Sequence, residues 1–226
     1  MKLAVTGGKG GVGKSTVAYN LAAELDAVVV DADLGMADLP EQSGPDLHDV
    51  LSGRATPLEA VSEDGPVALL PCGRSLAGAR AADPTALVDT IAAVERHYDN
   101  VVIDSPAGLR SDVGLALLAA DACLLVTRPS RAAIADALRG RELARAIDTP
   151  LARIVLNRVD ADLLGSTDSR LDRLETALGA PVTLVPDSDV LHRAQWSGVS
   201  VRAVDSSCPA SEAFADLART IRNSVR

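Results

Sequence analysis

Seven short apolar runs alternate with helical patterns along this chain, and that alternation constrains the fold more than any other feature. The runs are Leu3–Val5, Val28–Val30, Val67–Leu70, Val101–Ile103, Cys123–Val126, Ile154–Leu156 and Val182–Val185. Each is rich in Val, Leu or Ile, the pattern of a strand covered on both faces. Between them lie helix candidates at Ser15–Leu25, after Asp83-Pro84, at Ser130–Ile147, at Ser166–Leu178 and at Glu212–Arg222. Asp83 followed by Pro84 is a helix start, a capping side chain and then a proline in the first turn. Leu87, Ile91, Val94 and Tyr98 then share one face. The alternation predicts an α/β fold of three layers, a mostly parallel central sheet with helices on both sides. A length of 226 residues suits one domain spanning 1–226. The least regular stretch is Leu34–Gly65, where LHDVLSGRATPLEAV predicts two short helices around Gly53 and Pro57.

In open parallel sheets ligands bind at the carboxyl ends of strands. The first such end carries GKGGVGKST, residues 8–16. Gly8-x-x-x-x-Gly13-Lys14-Ser15 is a phosphate-binding loop pattern, and it sits in the required context of strand before and helix after. Gly8, Gly10, Gly11, Val12 and Gly13 let successive backbone N–H groups face phosphate oxygens, and the helix amino terminus adds its positive end. Lys14 is expected to reach the β- and γ-phosphates and the Ser15 hydroxyl to ligate Mg²⁺. The general pattern does not require Lys9. The chain holds only three lysines, Lys2, Lys9 and Lys14, so two of them fall in this loop.

Carboxylates follow at neighbouring strand ends. VVVDADLGMADL places Asp31 and Asp33 after the second run, with Asp38 further on. Such a carboxylate could orient a water or hold the magnesium shell, and an ordinary Asp-rich turn would look the same. NVVIDSPAGL ends its apolar run in Asp104, the pattern of a residue that accepts from magnesium-bound water. Gly108 could bring its N–H to the γ-phosphate. RIVLNRVD sets Asn157 and Arg158 after the sixth run, and VTLVPDSDV sets Pro186 and Asp187 after the seventh.

Taken together, these stretches resemble the MinD/ParA family of ATPases, whose variant phosphate loop carries the extra lysine seen here as Lys9. The resemblance implies a P-loop NTPase fold, with ATP and Mg²⁺ as ligands. It implies that Lys9 crosses an ATP-bound homodimer interface to the partner's phosphates and that Thr16 contacts the α-phosphate. It also implies that Asp33 positions the attacking water, and that Asn157, Arg158, Pro186 and Asp187 flank the adenine. LHDVLSGRATPLEAV, LLPCG, VTRPS and VLHRAQWSGVSV extend the similarity over nearly the whole chain. Departures are a short link between the first helix and second strand and Arg128 in VTRPS, and a terminal membrane-targeting helix is not expected. The last helix does carry a stripe of Phe214, Leu217, Ile221 and Val225, with Arg219, Arg222 and Arg226 off it. Core packing is the expectation for that stripe, ahead of membrane insertion.

Composition narrows the function classes. A net charge of −9 argues against a global attraction to nucleic acid or anionic lipid. Asp and Arg dominate their charge classes, as in a salt-adapted protein or a GC-rich genome. No run reaches the length of a membrane span, and a first strand at Lys2 leaves no room for a signal peptide, so a cytoplasmic protein is expected. Cys72, Cys123 and Cys208, like His48, His97 and His192, are scattered in sequence and form no metal-binding or disulfide pattern. The expected function is an ATP-hydrolysing dimerisation switch that positions other cell components through a protein partner. Two alternatives use the same scaffold, an iron–sulfur or metal-insertion ATPase and an ATP-dependent metabolic enzyme.

Overall fold

All seven apolar runs contribute strands in the computed structural model, which describes residues 1–34, 39, 44–73, 75–108, 111–160 and 169–224. The strands are β1 (Lys2–Thr6), β2 (Val28–Asp31), β3 (Leu69–Leu70), β4 (Val101–Asp104), β5 (Ala122–Thr127), β6 (Leu151–Val159) and β7 (Val182–Pro186). They form one sheet in the order β3-β2-β4-β1-β5-β6-β7, and every adjacent pair is parallel. The expected mostly parallel sheet is therefore parallel throughout these strands. β6 is longer than its apolar run, because polar Arg153 and Asn157 continue the ladder and the register resumes at Val159 after an irregularity at Arg158. β3 is shorter than Val67–Leu70, although Val67 is still buried.

Strand residues divide cleanly between the two faces, as a period of two requires. Leu3, Val5, Val29 and Val102 join one core; Ala4, Val28, Val30, Val101 and Ile103 join the other. The first core is covered by α1 (Lys14–Leu25), through Val17, Leu21 and Leu25, and by the closing helix Pro209–Ser224. The second is covered by α2 (Leu47–Leu51), α4 (Leu87–Tyr98) and α5 (Ser111–Ala119), with the short α3 (Leu76–Ala81) packed beside α2. α6 (Arg131–Ala146) and α7 (Ser169–Leu178) pack a third cluster with β6. After β7 come α8 (Asp189–Trp196), α9 (Val201–Val204) and the closing helix, α10 (Pro209–Ser224).

Local chemistry explains the starts. Asp83 Oδ1 accepts from Thr85 N at 3.0 Å, Pro84 opens a 3₁₀ turn, and α4 then buries Leu87, Ile91 and Val94 completely. Ser130 caps α6 by accepting from Ala133 N at 3.3 Å. The short link after α1 is made by Asp26 in a left-handed conformation (φ 54°), whose N–H bonds back to Ala22. In α10 the expected stripe packs inward: Phe214, Leu217 and Ile221 are each at most 1% exposed, while Val225 and Arg226 lie outside the described residues. Phe214→Ala would open a cavity costing about 3–5 kcal/mol. Among the described residues, no helix is long and apolar enough to cross a membrane.

Some elements differ from expectation. Of the two short helices around Gly53 and Pro57, only Leu47–Leu51 forms, and residues 57–60 make turns. α5 has no sequence signature because SDVGLALLA is apolar almost throughout and shows no face. α7 is described from Ser169, so its expected start at Ser166 lies outside the described residues, as does Asp38.

Candidate functional site

The carboxyl ends of β1, β2 and β4 converge on the loop of residues 8–16. Gly13 caps α1 with φ 97°, a left-handed conformation that disfavours any side chain, and a Cβ there would also collide with the Asn157 amide. Gly8 lies so close to α6 that a Cβ would collide with the Asp136 carbonyl oxygen. Two different packing contacts thus fix the two ends of the loop. Lys14 is 8% exposed, while Lys9, Gly10 and Gly11 are exposed. The two lysines therefore differ in kind: one ammonium is held in the protein and the other faces outward. Ser15 and Thr16 are half-buried at the helix start.

Carboxylates gather beside this loop. Asp31 and Asp104 face each other in register across β2 and β4, and Val5 at the end of β1 is also in register with Asp104. Both carboxylates are at most 2% exposed. Burying two like charges side by side is costly without a compensating cation. A donor set of carboxylates and the Ser15 hydroxyl is all oxygen, which suits magnesium completed by phosphate oxygens and water. Asp33 is half-buried on the turn after β2, with its N–H donating to Asp31 Oδ1 at 3.2 Å. Ser105 tightens the neighbouring turn, its N–H and hydroxyl both donating to the Val5 carbonyl, at 3.1 and 2.9 Å. Gly108 follows with φ 93° and open space around it.

Of the two loops expected near the base, the one after β6 meets the phosphate loop. Asn157 is 2% exposed and its Nδ2 donates to the Val12 carbonyl at 2.8 Å, while its Oδ1 accepts from Arg158 N at 3.0 Å. The amide expected to read adenine is here bonded to the phosphate loop itself. Arg158 is half-buried with φ 57°. Pro186 is buried at the end of β7, and the exposed Asp187 faces His192, with 3.2 Å between Oδ1 and Nε2.

Sequence reasoning missed a pocket of about 250 Å³ at the start of α1. Thr16, Tyr19, Leu39, Gln195, Trp196 and Val199 line it, and Thr16 Oγ1 donates to Gln195 Oε1 at 3.2 Å. Trp196, the single tryptophan, is 93% exposed at its rim. Two of the chain's four aromatic residues, Tyr19 and Trp196, line this pocket, and that concentration was the available signal.

Comparison with known proteins agrees with this geometry. Residues 3–201 match the family model described as the CobQ/CobB/MinD/ParA nucleotide binding domain. An uncharacterized ATP-binding protein of Methanocaldococcus jannaschii is 35% identical over 98% of this chain and 88% of its own length. The septum site-determining protein MinD of Bacillus subtilis is 30% identical over 97% of this chain and 88% of its own. The MinD structure from Pyrococcus horikoshii complexed with Mg-ADP superposes with a TM-score of 0.86 at 26% identity, covering 97% of this chain and 95% of that one. A phosphate loop at the end of β1, paired carboxylates at the ends of β2 and β4, and these matches over most of the chain lead to one conclusion: the protein belongs to the MinD/ParA family of P-loop ATPases.

Proposed function

We propose that the protein is a Mg-ATP-dependent dimerisation switch that hydrolyses ATP and acts in spatial positioning, with residues 1–226 working as one ATPase unit. The observation that carries the reading is the contrast between Lys14, buried in its own phosphate loop, and Lys9, presented to solvent from the same loop. Lys14 and the backbone N–H groups of Gly8–Ser15 grip the β- and γ-phosphates. Lys9 reaches a second copy of the site when two subunits meet face to face. A compact ammonium on a flexible stem suits that reach better than a planar guanidinium.

Ser15, Asp104 and Asp33, with Asp31 beside them, are the residues that would hold magnesium. The ion, when bound, neutralises charge on the phosphate oxygens. Asp33 orients a water in line with the γ-phosphorus; the water's oxygen bonds to it as the bond to the β–γ bridging oxygen breaks. Positioning and charge neutralisation suffice for this reaction. Gly108 N–H senses the γ-phosphate, and hydrolysis reopens the dimer. Asn157, Arg158, Pro186 and Asp187 bound the adenine. A protein partner is expected to read the dimer, and a docking role at a membrane or cell pole runs through that partner.

Phosphate release by the purified protein tests the assignment. Turnover should require magnesium, vanish with ATP binding in Lys14→Ala, and fall at least tenfold in Asp33→Asn with ATP still bound. Hydrolysis that survives Lys14→Ala unchanged would place the chemistry elsewhere.

A further inference from the structure

His48 and Cys72 stand 24 residues apart, yet they meet beneath the turn that carries Asp33. Cys72 follows β3 and is completely buried; its Sγ–H donates to the Asp33 carbonyl at 3.0 Å. His48 lies on α2 at 2% exposure, and its Nε2 lies 3.2 Å from the Leu34 carbonyl. A carbonyl can only accept, so Nε2 carries the proton. The two side chains are 3.6 Å apart. Two successive carbonyls of one turn are thus bonded from below, while the Asp33 N–H is bonded to Asp31 Oδ1. All four backbone polar groups from Asp33 N to Leu34 O therefore have a partner, the Leu34 N–H bonding to the Ala32 carbonyl at 3.0 Å to close the turn.

The elements that carry these donors are themselves tied down. Asp46 caps α2 through a reciprocal pair, accepting from Asp49 N at 3.0 Å while Asp49 Oδ2 accepts from Asp46 N at 3.3 Å. Leu47 N and His48 N donate to the Pro71 and Cys72 carbonyls at 2.8 and 3.3 Å, which joins α2 to the end of β3. α3 closes over His48 so tightly that a Cβ on Gly78 would come within 3.1 Å of the His48 Cβ and 3.2 Å of its Nδ1.

We propose that Cys72 and His48 are positioning residues for hydrolysis, a buried clamp that sets the direction of the Asp33 carboxylate toward the attacking water. The proposal rests on the role given above to Asp33. Neither residue touches the nucleotide; both act through the Asp33–Leu34 backbone. A clamp of this kind affects the chemical step more than ATP binding, because a catalytic group displaced by a fraction of an ångström loses rate before the phosphate loop loses affinity.

The test is ATP turnover by Cys72→Ala, Cys72→Ser and His48→Leu, with Asp33→Asn and the double variant Cys72→Ala/Asp33→Asn. Cys72→Ala and His48→Leu should each lower kcat about five- to tenfold with KM within about twofold of wild type. Cys72→Ser keeps a donor and should restore kcat to within about twofold. Cys72→Ala should add no further loss once Asp33 is Asn, since the two act on one element. Asp33→Asn turning over like wild type would overturn the Asp33 assignment and the clamp with it. With Asp33→Asn impaired, an unchanged kcat in both Cys72→Ala and His48→Leu would overturn the clamp alone. Losses that multiply in the double variant, or a serine no better than alanine, would also overturn it.

Discussion

Asn157→Asp is the substitution that most sharply separates two uses of one buried amide. In this structure Asn157 Nδ2 donates to the Val12 carbonyl at 2.8 Å, across 145 residues of chain, and Oδ1 accepts from Arg158 N at 3.0 Å. Asp keeps the size of the side chain and the acceptor for Arg158, but it puts a carboxylate oxygen against the Val12 carbonyl. The bond itself is worth about 1 kcal/mol, and a buried acceptor left facing another acceptor adds about 1–3 kcal/mol. A total of about 2–4 kcal/mol lowers Tm by roughly 4–16 °C in a chain of this size. Asn157→Ala loses both bonds without the repulsion, and should fall by about 2 kcal/mol.

Binding follows from the same contact, because Val12 belongs to the phosphate loop. If about 1 kcal/mol of loop ordering is transferred to the binding step, the ATP Kd rises about fivefold. Calorimetry with ATP and with inorganic tripolyphosphate distinguishes the two roles. A latch on the loop predicts that both ligands weaken together and that Tm falls. A side chain used solely to read the base predicts weaker ATP binding with tripolyphosphate binding and Tm untouched. Wild-type Tm and wild-type affinity for both ligands in Asn157→Asp would refute the latch.

Two further predictions follow from the packing and the charges. Gly8→Ala should lower the ATP affinity at least tenfold and destabilise the fold by about 1–3 kcal/mol, because the new methyl group meets the Asp136 carbonyl; binding and thermal unfolding measured together check this. Lys2 Nζ bonds to Glu95 Oε2 at 2.6 Å and to Asp121 Oδ1 at 2.9 Å. Burial alone would lower the Lys2 ammonium and raise the two carboxyls, but the mutual hydrogen bonds outweigh it and hold Lys2 above, and Glu95 and Asp121 below, their ordinary values. The carboxylate contribution is complete above about pH 4.3 and is lost as pH falls through the lowered values; the Lys2 contribution is complete below about pH 10.4 and is lost as pH rises through the raised one. Glu95→Gln should therefore cost about 1 kcal/mol at pH 7 and flatten the fall of Tm between about pH 5 and pH 2.

The strands were legible because each is a short buried run, and burial on both faces leaves a continuous apolar signature in the sequence. The phosphate loop was legible because its glycines and lysines serve one chemistry within nine residues. Strand order was not, since β4 inserts between β1 and β2 by long-range packing that no local pattern encodes. α5 hid for the opposite reason to the strands: Val113, Ala116 and Leu117 are buried, but Leu118 is 60% exposed and equally apolar, so its two faces read alike. His48 and Cys72 looked scattered because they meet only once β3 lies beside β2 and α2 docks on its end. Asn157 was singled out at a strand end as a residue near the base; its bond to Val12 depends on how closely β6 and the first loop approach.

The mass of the protein in solution, measured by sedimentation with and without Mg-ATP at high salt, tests the central claim most directly. Wild type should double from its monomer mass of 23.3 kDa when ATP and magnesium are present. Lys9→Ala should bind ATP and stay monomeric, since it loses only the lysine turned away from its own site. A wild-type protein that remains at 23.3 kDa under saturating Mg-ATP, or a Lys9→Ala variant that dimerises as readily as wild type, would contradict the account.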